Sequence, residues 1–193
     1  MKKTILFDLD GTLTDSGEGI INCAILALEH FGLPIPDREM LRVFVGPPLH
    51  ETFIKFGVPA DKADEAVSVY RSRYIPIGKY ENTPYPGMRE LLARWNEEGR
   101  KLVLATSKPE IFAMQILERF GMAGSFTFIA GGDPCETRVH KSDVIRYALG
   151  KMGIDQNISA VMVGDTENDF EAASKLQIQY MDLIDALFCE VNP

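Results

Sequence analysis

Cysteine is scarce in this 193-residue chain: Cys23, Cys135 and Cys189 are all it has, and no two stand at C-x-x-C spacing. An odd, scattered set favours free thiols in a reducing compartment over a disulfide framework. Long apolar runs are missing as well, and no stretch approaches the roughly 20 residues that a membrane-spanning helix requires. The start, MKKTILFDLDG, places only Ile5, Leu6 and Phe7 in a row before Asp8. A signal peptide needs a longer apolar stretch, so a cytoplasmic location away from membranes is expected. Positive charge is in deficit, with a formal net charge of −8. That balance argues against general affinity for nucleic acid or anionic membranes. A small anionic substrate stays open, because a bound metal or a local lysine reverses the field inside a pocket. His30, His50 and His140 show no metal-ligand spacing and receive no role. Internal repeats, low-complexity tracts and long charge runs are absent too, and nothing in the chain fixes an oligomeric state.

What remains is an ordinary globular composition, 46% hydrophobic and 25% charged, long enough for one good core and a small insert. The stretch Thr4–Ser16, TILFDLDGTLTDS, organises the rest. A short apolar run ending in a Gly-containing turn reads as a buried strand. Asp8 and Asp10, two apart at its exit, point to the same side. Two like charges so close repel unless a cation or a shared proton offsets them. Gly11 permits a tight turn with positive φ, and Thr12, Thr14 and Ser16 supply hydroxyls nearby.

Beyond Ser16 the apolar period becomes helical over Gly19–Phe31, stopped by Gly32. Further helices are expected over Asp37–Val45, Leu49–Phe56 and Asp61–Ile75, the last ending before Pro76. The outer chain alternates instead: a helix over Met88–Glu98, a strand over Lys101–Thr106, and a helix from Pro109 to Phe120. A strand over Phe126–Ala130, a helix over Lys141–Met152 and a strand over Ala160–Val163 follow. The expected series closes with a helix over Asn168–Leu176 and a fifth strand over Ile178–Met181. This order predicts an α/β fold, a doubly wound parallel sheet of Rossmann-like kind covered on both faces, with an inserted all-helical domain. Residues 1–16 and 84–193 form the expected core, and residues 17–83 the insert.

Ligands of open parallel sheets bind beyond the carboxyl ends of the strands. Three polar constellations fall at such ends: Asp8 with Asp10, Thr106, and Asp165. Thr106 in ATSKP can hold a phosphoryl oxygen beside free backbone N–H groups, while Ser107 reads as a helix N-cap ahead of Pro109; the two readings are compatible. Lys141 opens a helix, where its charge opposes the macrodipole. Something else should explain it, and solvent exposure would do so cheaply. Asp165 and Asp169, four apart, meet at one place if the turn leads straight into a helix, and several carboxylates there suit a hard cation. Phe53, Phe56, Tyr70 and Tyr74 read as core of the insert.

DLDGTLTDS resembles the nucleophile motif of the haloacid dehalogenase-like hydrolases, an apolar run followed by DxDGT. Thr106 matches that family's Ser/Thr motif, Lys141 in KxxxIxxAL context its lysine motif, and Gly164-Asp165 through Asp169 its GDxxxD form. FDLDGTLTDS, GPPL, YPG, ATSKP and MVGD are similar to the phosphoglycolate phosphatase and 5′-nucleotidase branch, which carries a helical cap at this position. The resemblance implies a Mg²⁺-dependent phosphatase acting on a small phosphorylated metabolite. Asp8 would be the nucleophile, Asp10 the acid and base, and Thr106 and Lys141 catalytic partners. Thr106, Ser107 and Lys141, with Gly46 and Pro47 of the cap loop, would bind substrate. Asp8, Asp10, Asp165 and Asp169 would serve the metal. A phosphosugar mutase of the same fold, a phospho-accepting signalling domain and a degenerate binding protein are the other readings. From about Ser174 the tail, LQIQYMDLIDALFCEVNP, departs from the family pattern, so whether it completes the sheet is left to the structure.

Overall fold

Alternation within four residues sets the sheet in place. The protein is described by a computed structural model covering residues 4–133, 138, 140–154 and 160–188. Strand β1 spans Thr4–Phe7, and all four residues are buried. Ile5 and Phe7 join one apolar cluster while Leu6 joins another. Successive strand residues point to opposite faces, so a strand buried at every position must be covered on both sides.

The remaining strands are β2 (Thr14–Asp15), β3 (Thr83–Pro84), β4 (Lys101–Pro109), β5 (Phe128–Gly132), β6 (Ala160–Gly164) and β7 (Gln179–Asp182). Five of them form one sheet in the order β5-β4-β1-β6-β7, with every pairing parallel; β2 and β3 form a two-stranded ribbon of their own. The α-helices are α1 (Gly17–His30), α2 (Leu49–Lys55), α3 (Ala63–Tyr74), α4 (Met88–Glu97), α5 (Glu110–Arg119), α6 (Lys141–Lys151), α7 (Glu167–Lys175) and α8 (Leu183–Phe188). On one face of the sheet Ile5 and Phe7 meet Leu91, Leu92 and Trp95 of α4, Ile116 and Leu117 of α5, and Ala186 of α8. On the other, Leu6 meets Val144 and Ile145 of α6 and Ala172 and Ala173 of α7. This is the expected doubly wound parallel α/β core.

The chain divides into two compact units, Met1–Thr14 with Pro84–Pro193, and Asp15–Thr83. The second is built from α1, α2 and α3, with a core that includes Leu28, Phe44, Phe53, Tyr70 and Tyr74. Phe44 packs on Phe53 and Phe56, each at 4.9 Å between centroids, and Tyr70 stacks on Tyr74 at 5.3 Å. Such aromatic pairs add to the area that they bury. Arg73 donates two hydrogen bonds to Glu81, at 2.6 and 2.8 Å, tying the end of α3 to the returning chain.

Several elements differ from expectation. Asp37–Val45 is not an α-helix: only Met40–Phe44 coils, as a 3-10 turn. Prolines and Gly46 bracket too few residues to repay helix nucleation. The expected helix at Asp61 begins as a 3-10 turn over Ala60–Lys62 before α3. Strand β4 runs on through Pro109, so Ser107 lies inside it and Pro109, not Ser107, precedes α5 as its N-cap. The divergent tail does supply a fifth strand, β7, registered residue by residue on β6. Cys23 is free and buried; Cys135 and Cys189 lie outside the described residues. Among those residues no helix is long and apolar enough to cross a membrane.

Phe7 is fully buried and packs on Trp95 at 5.6 Å and Phe126 at 6.2 Å. Phe7→Ala is expected to cost about 3–5 kcal/mol, measured as a lower urea midpoint. Leu26→Ala, at a residue 37% exposed, should change the stability read from the same titration by less than about 0.5 kcal/mol.

Candidate active site

Strand β1 ends in a turn that doubles back within a few residues. The Leu9 carbonyl accepts hydrogen bonds from the N–H groups of Thr12, Leu13 and Thr14, and Gly11 N donates to Thr14 O at 2.8 Å. Gly11 takes φ +84°, and a Cβ there would collide with the Asp165 carboxylate. The position therefore needs glycine for both its backbone and its neighbour. The ladder reaches the site itself, since Asp8 N donates to Val163 O at 3.0 Å. Phe7 pairs with Leu104 on one side and Val163 on the other, so Asp8 stands level with Ala105 inside β4 and with Gly164 at the end of β6.

Asp8 and Asp10 are both buried, and each meets a lysine. Lys141 Nζ lies 2.6 Å from Asp8 Oδ1 and 3.0 Å from Asp169 Oδ1. Lys108 Nζ lies 2.6 Å from Asp10 Oδ2. Lys141 also donates to Ala105 O at 3.4 Å. This explains a lysine in the first turn of α6: it is buried between two carboxylates rather than solvated. Asp165 accepts a hydrogen bond from Thr12 Oγ1 at 2.7 Å. Thr166 opens α7 with a capping box, in which Asp169 Oδ2 accepts from Thr166 N at 3.2 Å and from Thr166 Oγ1 at 2.8 Å. Asp169 thus has one oxygen on the cap and the other on Lys141.

Burial dominates the electrostatics. It pushes the Asp8 carboxyl up to about 6, against the pull of Lys141 and with help from the charges of Asp169 and Asp10. Burial likewise raises Asp165, opposed by the Thr12 hydrogen bond. Burial alone would lower Lys141, but Asp8 and Asp169 outweigh it and hold the ammonium above its ordinary range. One carboxylate oxygen from each of Asp8, Asp165 and Asp169 falls within 4.8 Å of the others, a donor set that could hold a metal ion.

Asp8, Lys141, Asp165 and Asp169 lie together, Asp10 is held beside them on Lys108, and Thr106 is buried within the adjacent strand β4 rather than at its exit. The Thr106 hydroxyl accepts a hydrogen bond from Lys108 N at 3.3 Å, and Ser107 sits in the strand beside it. Gly46 and Pro47 lie in the helical unit, in the bend before α2. Lys108 was not singled out by sequence. Its signal, a lysine two residues past a buried strand threonine, is weak until the pairing of β4 is known.

Residues 5–182 match the family model for the haloacid dehalogenase-like hydrolases. A 5′-nucleotidase from Pseudomonas aeruginosa is 41% identical over 172 residues, covering 89% of this chain and 77% of that protein. The tyrosine-protein kinase PtkA from Mycobacterium tuberculosis is 39% identical over 171 residues, covering 88% of this chain but only 58% of that one. The crystal structure of a predicted phosphatase from Clostridium acetobutylicum superposes with a TM-score of 0.88 at 39% identity, covering 93% of this chain and 83% of that one.

The raised Asp8 carboxyl has a consequence for stability. Between its ordinary value of 3.8 and about 6, the folded protein keeps a proton that the unfolded chain has released. The stability due to Asp8 is therefore full below that window and is lost as pH rises through it. In chelator-treated protein, the loss of stability between pH 4 and 6 is expected to be about 1–3 kcal/mol smaller in Asp8→Asn than in the parent. Urea titrations at the two pH values measure it.

Proposed function

The chain belongs to the haloacid dehalogenase-like hydrolases, and on that premise we propose that it hydrolyses a small phosphate monoester through an aspartyl-phosphate on Asp8, with Mg²⁺ bound. Its reaction class is phosphoric monoester hydrolysis, in line with the phosphatase and 5′-nucleotidase that it resembles over most of its length. The observation that carries the mechanism is the pair of buried carboxylates, Asp8 and Asp10, each on its own lysine at the exit of the central strand.

Carboxylates attack phosphorus well when placed in line, and splitting hydrolysis into two transfers lowers each barrier. In the first, an Asp8 oxygen forms a bond to phosphorus while the bond to the ester oxygen breaks, and Asp10 gives its proton to the departing alkoxide. In the second, Asp10 takes a proton from water, the water oxygen bonds to phosphorus, and the Asp8–phosphorus bond breaks. Asp10 is protonated again, and alcohol and inorganic phosphate have left. Lys141 neutralises charge on Asp8 and the phosphoryl oxygens, and Thr106 holds a further oxygen through its hydroxyl. Most of the acceleration comes from placement and fixed charge.

The residues present fit a divalent cation. Asp8, Asp10, Asp165 and Asp169 are four carboxylates, against the ammonium groups of Lys108 and Lys141. Oxygen donors of this kind suit a hard ion. Asp8, Asp165 and the main-chain carbonyl of Asp10 would hold it, with Asp169 supporting from α7. When bound, Mg²⁺ offsets the negative charge of the phosphoryl oxygens. The helical unit, Asp15–Thr83, would serve as a cap that selects the leaving group, with Gly46 and Pro47 proposed to bind substrate. Phosphoglycolate-like and nucleotide-like esters both fit the core chemistry. The tail that departs from the family pattern still forms β7 beside β6, which supports an intact strand edge next to Asp165.

The test is phosphate release from p-nitrophenyl phosphate. Activity is expected with Mg²⁺, lost with excess chelator and restored by added Mg²⁺. Asp8→Asn should lower kcat at least about 10³-fold, because a carboxamide is no nucleophile. A folded Asp8→Asn variant that keeps the parent's rate would reject the mechanism.

A further inference from the structure

Lys108 has no part in the scheme above, yet it is among the most completely buried charges in the molecule. Its side chain is 5% exposed, and Nζ sits 2.6 Å from Oδ2 of Asp10, itself 7% exposed. The other oxygen, Asp10 Oδ1, is buried and has no hydrogen-bond partner among the described residues. Burying an ammonium is costly without a well-placed counter-charge, so a lysine held here calls for a reason.

Local structure is arranged to deliver it. The register between β4 and β5 shifts between Ala105 and Pro109, a bulge of the sort that re-aims a side chain beside an active site. The Thr106 hydroxyl accepts the Lys108 N–H inside that bulge. Gly131 on β5 leaves the room, since a Cβ there would come within 2.6 Å of the Lys108 carbonyl and of Glu110 Cα. Irregular pairing, a side-chain hydrogen bond and a missing side chain all serve to bring one lysine to one carboxylate oxygen.

An ammonium carries donors and no acceptor, whereas a protonated carboxyl has one O–H and one bare oxygen. The oxygen that Lys108 holds is therefore the bare one. We infer that Lys108 is a positioning residue for Asp10: it clamps Oδ2 and so makes Oδ1 the oxygen that gives a proton to the leaving group and takes one from water. This rests on the acid–base role proposed for Asp10. Without the clamp the carboxyl rotates, and its proton is presented to the leaving oxygen only part of the time. A loss of this kind falls on esters whose leaving groups need a proton and spares those that do not.

The experiment measures kcat/KM, which reports the first phosphoryl transfer, for aryl phosphates from p-nitrophenyl to phenyl. The parent, Asp10→Asn, Lys108→Met and Lys108→Arg are compared with Mg²⁺ present, each variant's folding being checked by circular dichroism. Lys108→Met is expected to lose about 10²-fold on phenyl phosphate but less than about 5-fold on p-nitrophenyl phosphate, within the range for general acid catalysis. Its dependence on the leaving group should approach that of Asp10→Asn, and Lys108→Arg should restore most of the parent's flat dependence. If the Met variant does not fold, Lys108→Gln replaces it with the same steepening expected, because an amide both donates and accepts. An equal loss across the series, in either variant, overturns the positioning role and leaves Lys108 as a structural or phosphate-binding cation. A parent as steep as Asp10→Asn overturns the acid role of Asp10 itself, and the clamp with it.

Discussion

Two buried carboxylates just past the end of β1 set the terms for the rest of the core. Asp8 and Asp10 are both nearly inaccessible, and a carboxylate taken out of water is costly unless a counter-charge is placed on it. The fold supplies a separate ammonium for each, Lys141 from the start of α6 and Lys108 from the end of β4. Those lysines reach the acids because a parallel sheet gathers the carboxyl ends of its strands on one edge. The apolar faces packed on β1 keep that edge in place: Ile5 and Phe7 on one side, Leu6 on the other.

Division of labour among the acids follows from their surroundings. Asp169 is engaged at both oxygens, by Lys141 and by the capping box of α7. It orients the lysine as much as it lends charge. Asp165 has one hydrogen bond from Thr12 and stands against Gly11, so nothing larger than glycine fits between β1's turn and this carboxylate. Asp8 bears a cost of burial in its charged form, visible in its raised carboxyl. A group destabilised in its charged state before substrate arrives is a point where a cation or bond formation can act, and this is why strained electrostatics gather at functional sites.

Much of this was legible in the sequence because the signals are local. A short continuous apolar run, a glycine turn and two acids at i and i+2 suffice to place Asp8 and Asp10. A lysine against the helix dipole flagged Lys141, and the GDxxxD spacing flagged Asp165 and Asp169. Three features were not legible, two of them because nonlocal pairing decides them. Ser107 read as a helix cap because the continuation of β4 through Pro109 depends on β5. Lys108 was passed over for the same reason, since only the bulge opposite Gly131 turns it inward. The stretch Asp37–Val45 has helical periodicity, but flanking prolines leave it only a 3-10 turn. The tail, lacking the family's glycines, nevertheless pairs Val161 to Gly164 with Gln179 to Asp182, because edge pairing needs backbone groups more than particular side chains.

The central claim is that phosphate passes through Asp8 before it reaches water. The stereochemical course at phosphorus tests this most directly, using a phosphorothioate ester made chiral with oxygen isotopes and hydrolysed in isotopically labelled water. Two in-line displacements, each inverting, give inorganic thiophosphate of retained configuration, and retention is the result predicted. Inversion would mean a single direct attack by water and would contradict the account.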